Sequence, residues 1–346
     1  MNNISIKIIS QTDVAEIFKG NTKALFGVVE NAFMKYLHGN VLFPDKISQI
    51  FDQETQNRIN CMPATLLGED MVCGMKWVSV FPTNASKGIQ NVTGVMLLSE
   101  IKTGFPVAVI DGTLVTKMRT SSVGCVAAKY LAPTKVETIG IIGSGEEARM
   151  HFALLKHLFP TIKECRVSSR SSSSEEAFIA KFKDLTTDVN FIACDNDSYK
   201  CASNADIIVT AISGQAPVLK AKDITKGGLY IHVGGWEDEF EVALKAQKIV
   251  CDDWEASKHR TQTICRMYKE GIIKDHDIYA NLSDLISGKK KGRNNDDEFI
   301  YFNSVGLSYI DLNFANYIYK EAIKRGLGKE VVIAEDNSVD YASLIY

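Results

Sequence analysis

The sequence predicts an α/β protein in two parts: a doubly wound parallel sheet, and an α+β part built around an antiparallel sheet. Three observations carry the prediction. From residue 136 onward, apolar strand-like runs alternate with helical or polar stretches. Between 61 and 111 the apolar period is two, and before residue 60 apolar residues recur at three- and four-residue spacing.

Taken in order, TDVAEIFKGNTKALFGVVENAFMKYL reads as helix, with Asp13 placed to cap its start. MVCGMKWVSV alternates, and GVMLLSEIKTGFPVAVIDG reads as strand, glycine-containing turn and strand, which is a hairpin signal. In KMRTSSVGCVAAKYLA, Thr120 or Ser121 can cap a helix running into Tyr130. Six strands follow: VETIGIIG, ECRVSSR, NFIACD, ADIIVTAIS, GLYIHVGG and KIVCDDW. A seventh, EFIYFNSVG, comes after the turn SGKKKGRNNDD, whose basic run 289–293 reads as a solvated loop. The last helix, DLNFANYIYKEAIKRGLG, is free to return to the front part. The expected domains are 1–130 with 317–346, and 131–316.

A chain of 346 residues can bury a core and hold two domains. Apolar residues at 45%, a net charge of −3 and a pI near 6.1 give no basic surface for nucleic acid and leave small metabolites as the default partners. No apolar run reaches the ~18 residues of a membrane span, and MNNISIKIISQTDVAEIF lacks the basic-then-apolar order of a signal peptide. The eight cysteines include no CxxC pair and read as reduced core residues of a cytoplasmic protein. Histidine and cysteine spacing supports no metal site.

Gly143-Ser144-Gly145-Glu146-Glu147-Ala148 is G-x-G-x-x-A between an apolar strand and a helix. The first glycine permits the turn and the second lets the backbone approach a pyrophosphate. Ala148 keeps helix and strand close, and the helix start offers N–H groups to the anion. This points to a dinucleotide. Some twenty residues on, where an NAD site wants Asp or Glu, stands Ser168-Ser169-Arg170-Ser171. Ser169 and Arg170 lean towards the 2′-phosphate of NADP by charge and bidentate geometry; the plainer alternative has Arg170 stacking on adenine or facing water.

Two further cations draw notice. Lys76 shares a strand face with Val72, Gly74, Val78 and Val80, and a lysine there needs a partner. Arg119, read at a helix start beside hydroxyls, makes a carboxylate site; for each the alternative is a structural salt bridge. Arg58, in QNRINCMPA, is a third candidate, and His232 is either a proton relay or a satisfied core residue.

The ordered set RINCMPA, GMKWVS, GFPVAVIDGTLVTKMRTSSVGCVAAKYLA, IGIIGSGEEA, VGG, VCDDW and FNSVGLSYIDL resembles the ornithine cyclodeaminase/μ-crystallin family. Within it, DMVCGMKWVSVFPTNASK and GRNNDDEFIYFNSVG are most similar to the dehydrogenase branch that makes 2,3-diaminopropionate. The resemblance implies a Rossmann domain, and a front segment that joins the last helix to bind substrate and form a homodimer. It implies that Arg58, Lys76 and Arg119 hold amino-acid carboxylates and that Lys76 assists proton transfer. Arg119, Thr120, the Gly143–Ala148 turn, Ala211, Ile212, Ser213, Val233, Gly234 and Ser304 would line NAD or NADP.

One departure stands out. Cyclodeaminases carry a catalytic Asp just after the glycine pair, within Gly-Asp-x-Pro-Gly-Lys. This chain reads VGGWEDEFEV, with Gly235 or Trp236 at that place. Glu237 is the nearest carboxylate and the candidate acid or base, although a shifted carboxylate is a poor substitute where placement within an ångström matters. The implied activity is therefore an NAD(P)-dependent oxidoreductase acting on a C–N bond. Ornithine cyclodeamination, ketimine reduction and non-catalytic nucleotide binding are the alternatives.

Overall fold

A computed structural model of the chain describes residues 3–214, 216–335 and 341–345. They form two compact units, one of Met1–Asn21, Gly39–Thr116 and Ser308–Tyr346, the other of Thr22–His38 and Lys117–Leu307. Among the described residues, no helix is long and apolar enough to cross a membrane.

The first unit is a mixed eight-stranded sheet. Its strands are β1 (Ile4–Ile9), β2 (Val41–Leu42), β3 (Ile47–Ile50), β4 (Arg58–Leu66), β5 (Val72–Val80), β6 (Val92–Ser99), β7 (Pro106–Asp111) and, from the chain end, β16 (Lys329–Ala334). The order is β16-β1-β7-β6-β5-β4-β2, with β3 also on β4. All pairings are antiparallel except β1 with β7. The period-two stretches predicted as strands are β5, β6 and β7, and the expected hairpin is β6–β7. The helix Ser308–Arg325 packs on β4 and β5, and its Phe314 and Tyr317 meet Phe18 at ring-centroid distances of 6.0 and 5.5 Å.

The second unit holds eight parallel strands: β8 (Thr138–Ile142), β9 (Glu164–Ser168), β10 (Asn190–Ala193), β11 (Ile207–Thr210), β12 (Gly228–His232), β13 (Lys248–Cys251), β14 (Ile278–Asn281) and β15 (Phe299–Asn303). Their order is β10-β9-β8-β11-β12-β15-β13-β14, so the topology reverses between β8 and β11. This is the doubly wound sheet that the alternation predicts. The strands read as apolar runs because they are covered on both faces; β11, β12, β13 and β15 are buried at every residue.

Four local expectations need correction. The N-terminal stretch is not all helix: ISIKII forms β1, and the chain turns helical only at Gln11. Ser10, not Asp13, caps that helix, and Asp13 is the third helical residue of a reciprocal capping box, with its carboxylate on Ser10 N at 2.9 Å. The helix around Arg119 begins at Gly112 and runs to Leu131, because the Asp111 carboxylate accepts from Thr113 N and Leu114 N at 3.2 and 2.7 Å. Thr120 and Ser121 therefore lie inside it and cap nothing. Finally, β14, β16 and the short β2 and β3 are strands that the pattern reading does not predict. Of the cysteines, six are buried, whereas Cys61 is half-buried and Cys73 exposed on β5.

The units also differ from the boundaries read in the sequence. The helix Thr22–Leu37 belongs with the parallel sheet, where it packs on Leu282–Ile286 and its Glu30 pairs with Lys129. Residues 308–316 belong with the first unit, through the same helix that carries Phe314.

In the second unit Phe152 is fully buried among Phe178, Phe182 and Phe191, with centroids 4.8–5.9 Å away. Phe152→Ala should cost about 3–5 kcal/mol, read as a lower midpoint in urea unfolding followed by circular dichroism.

Candidate functional site

In open α/β sheets ligands bind beyond the carboxyl ends of the strands, at the point where the order reverses. Here that point lies after Ile142 of β8 and Thr210 of β11. Gly143 follows β8 with φ +119°, and a Cβ there would stand 2.4 Å from Ala211 O. Only glycine meets both demands. Gly143 N donates to Ser168 O and Ala211 N to Ile142 O, at 2.8 and 2.9 Å, so the turn is tied to both neighbouring strands. Gly145 begins the helix Glu146–Leu158, whose first turn no side chain caps, and a Cβ on Gly145 would meet nothing within 4 Å. A glycine turn under an uncapped helix start fits a dinucleotide pyrophosphate. Ala148 is fully buried under the helix, as expected, while Glu146 pairs with Arg149 at 2.8 Å.

The other candidates fall along the same edge. Ser169 and Arg170 follow β9, Ala211 to Ser213 follow β11, Val233 and Gly234 follow β12, and Ser304 follows β15. Ser169 N is held by Glu175, and Arg170 is exposed. Ser304 is buried with its N–H on His232 O at 3.0 Å. Arg119 and Thr120 sit buried in mid-helix. Arg119 packs so closely on Gly306 that a Cβ there would come within 2.6 Å of its Nη1. Gly306 has φ +86° and its N–H is held, with that of Val305, by the buried Asp252 carboxylate at 2.9 and 2.7 Å. Asp252, quoted in VCDDW but given no role from sequence, thus fixes the turn that supports Arg119.

Glu237 does not stand ready as an acid or base. It is fully buried, and its two oxygens accept from Thr210 Oγ1, Ile212 N, Gly234 N and Val233 N at 2.7, 2.7, 2.8 and 3.3 Å. Asp238, also fully buried, accepts from Thr263 Oγ1 and from the phenols of Tyr301 and Tyr230 at 2.7, 3.1 and 3.3 Å. His232 lies beneath them with Nε2 3.4 Å from Asp238 and its ring stacked on Tyr301. Trp236, which with Gly235 is read at the place of the cyclodeaminase Asp, carries Arg266 over its ring at 4.7 Å.

In the first unit, Lys76 is 2% exposed and its Nζ lies 2.8 Å from Asp311 on the helix Ser308–Arg325. A partner was required by burial; that it is Asp311 is tertiary information. The β4–β5 register, Met62 opposite Lys76 and Arg58 opposite Val80, puts Arg58 and Lys76 on one sheet face. They are about 13 Å apart along the strands. Arg58 is half-buried, donates to Gln56 O at 2.9 Å, and burial pulls its pKa below the usual guanidinium range.

Burial also raises the pKa of Asp238 from 3.8 to about 6, against the opposing pull of His232 and of the Thr263 and Tyr301 hydroxyls. The folded state therefore holds this proton over a window where the unfolded chain has released it. The stability so gained is full below 3.8 and is lost as pH rises towards 6. Asp238→Asn lacks this dependence: relative to wild type it should be more stable at pH 7 than at pH 4 by roughly 2 kcal/mol, measured by denaturant unfolding at both pH values.

Known proteins of this architecture bear on the site. The model of the ornithine cyclodeaminase/mu-crystallin family matches residues 7–326. The alanine dehydrogenase of Archaeoglobus fulgidus is 31% identical, over 94% of this chain and 97% of its own. The N-((2S)-2-amino-2-carboxyethyl)-L-glutamate dehydrogenase of Staphylococcus aureus is 27% identical, over 94% and 98%. Among solved structures, the Thermococcus litoralis Delta(1)-pyrroline-2-carboxylate reductase, in complex with NADH and L-proline, superposes with a TM-score of 0.88 at 28% identity, covering 94% of this chain and all of that one. The chain belongs to the ornithine cyclodeaminase/mu-crystallin family.

Proposed function

We propose that this family member is an NAD(P)-dependent oxidoreductase that acts on the C–N bond of an amino acid-derived amine or imine and does not cyclise ornithine. The observation that carries the distinction is the burial of Glu237 and Asp238. Both carboxylates beside Trp236 are engaged in holding the fold, so neither replaces the cyclodeaminase Asp. Relatives named as dehydrogenases and as a Delta(1)-pyrroline-2-carboxylate reductase support the same side.

The Gly143–Ala148 turn, Thr120, Ala211 to Ser213, Val233, Gly234 and Ser304 would hold the dinucleotide, with Ser169 and Arg170 at its ribose end. The bound nicotinamide supplies the hydride chemistry. Arg58 and Arg119 would bind carboxylates. Lys76 already shares its charge with Asp311, and that pair is suited to hold or move a proton at Nζ.

For the substrate we propose N-(2-amino-2-carboxyethyl)-L-glutamate. Loss of a hydride from the glutamyl α-carbon and of the amine proton leaves an imine, and water then releases 2-oxoglutarate and 2,3-diaminopropionate. The resemblance in DMVCGMKWVSVFPTNASK and GRNNDDEFIYFNSVG supports this choice over ketimine reduction, alongside the Staphylococcus aureus relative. A homodimer is proposed through the first unit, where the facing pair Trp77 and Val95 is 38% and 45% exposed.

The test is absorbance at the reduced-nicotinamide band with NAD and NADP against this compound, ornithine, alanine and cyclic ketimines. Net reduction with the glutamate derivative is expected; ammonia from ornithine without net reduction would overturn the reading. Arg119→Ala should lower kcat/KM roughly 10- to 100-fold, the loss of a charged hydrogen-bonding partner. Arg170→Ala should raise KM for NADP and leave that for NAD unchanged; equal effects on both would remove the case for the 2′-phosphate.

A further inference from the structure

Glu237 places both side-chain oxygens where two backbone segments end, and every bond to them comes from an N–H or O–H donor. Its Oε1 takes the N–H of Ile212, just past β11; its Oε2 takes those of Gly234 and Val233, just past β12, and the Thr210 hydroxyl. The fit is close, since a Cβ on Gly234 would lie 2.4 Å from Oε1 and 2.8 Å from Ile212 O. Among the described residues no lysine or arginine pairs with it; its oxygens are met by the donors named, and His232 Nε2 stands 3.8 Å from Oε2. A buried carboxylate is costly unless its lone pairs are filled, and here they are filled by the loops themselves. The neighbouring residue behaves differently. Asp238 accepts from side-chain hydroxyls of the core, Tyr230, Tyr301 and Thr263, with His232 Nε2 at 3.4 Å, and among the described residues its side chain holds no backbone N–H of either loop.

We propose that Glu237 is a positioning residue for the dinucleotide: it locks the loops after β11 and β12 into one edge and so sets the surface on which the cofactor lies. The lock extends to the glycine turn, because Gly143 rests against Ala211 O, one residue before Ile212. Only an acceptor on both oxygens does this. In Glu237→Gln one amide NH2 would face a backbone N–H, and donor would oppose donor. Glu237→Asp keeps the charge but is one methylene short of spanning Ile212 and Gly234.

The inference rests on the proposed cofactor reading, and the experiment separates the two. NADH and NADPH are titrated by their fluorescence into wild type, E237Q, E237D and D238N, each checked for folding by near-UV circular dichroism. E237Q and E237D should bind the tighter of the two nucleotides at least tenfold more weakly, while D238N, which leaves the loops tied, should bind it as wild type does. Failure of wild type to bind either nucleotide would overturn the functional reading. Wild-type binding that E237Q leaves unchanged, or that D238N weakens equally, would overturn the positioning role alone. Should E237Q not fold, amide exchange of the wild type decides: the Ile212 and Gly234 amides should be protected to the level of β11 and β12, and exchange at the rate of an exposed loop would overturn the lock.

Discussion

The carboxyl edge of the parallel sheet is held by three buried carboxylates, each joining the loops of two neighbouring strands. Glu175 accepts from Ser169 N after β9 and from Asp195 N and Asn196 N after β10, at 2.8, 2.8 and 2.9 Å. Glu237 joins β11 to β12, and Asp252 joins the end of β13 to the turn after β15. Loops that leave a sheet edge have N–H groups without ladder partners, and a carboxylate accepting two or three of them fixes their geometry at about 1.5–3 kcal/mol for each charged bond, less the cost of burying the charge. Among the described residues no carboxylate clamps the loop after β8 in this way. Glycine lets it approach Ala211 closely instead, and no side chain caps the helix start that follows.

That arrangement explains why a carboxylate near the glycine pair need not be catalytic. Glu237 is one position away from Trp236, yet its bonds run inward to the backbone. Its neighbour Asp238 runs deeper still, into a polar layer of Tyr230, Tyr301, Thr263 and His232 on one face of the sheet. Burial of this layer raises the Asp238 pKa to about 6, and Asp252, equally buried, is raised to about 6 despite three backbone donors. Desolvation outweighs the hydrogen bonds in both.

The first unit solves a different problem with one ion pair. A sheet face that packs on a helix is apolar from Met62 to Leu66, and a lone ammonium there would lose its charge or destabilise the fold. Asp311 keeps Lys76 buried at 2.8 Å and lets a cation sit on an otherwise apolar surface. Arg58 shares the face but lies nearer the strand end, half-buried, with Nη1 donating to Gln56 O.

What the sequence determined by itself was whatever depends on local period and on single residue types. The seven apolar runs, the hairpin, the glycine turn and the need of Lys76 for a partner are all of that kind, and the family resemblance was legible in motifs spread along the chain. Short strands such as Ile278–Asn281 and Lys329–Ala334 were not legible, because their pairing is made by distant neighbours and their own pattern is too brief. The start of the Gly112–Leu131 helix was missed for a related reason: Asp111 ends a strand and caps a helix at once, so two periods meet without a break. Only the tertiary structure decided the roles of Glu237, Asp252 and Asp311. Their partners are backbone groups or side chains 1 to 235 residues away, and sequence carries no record of which lone pairs folding fills.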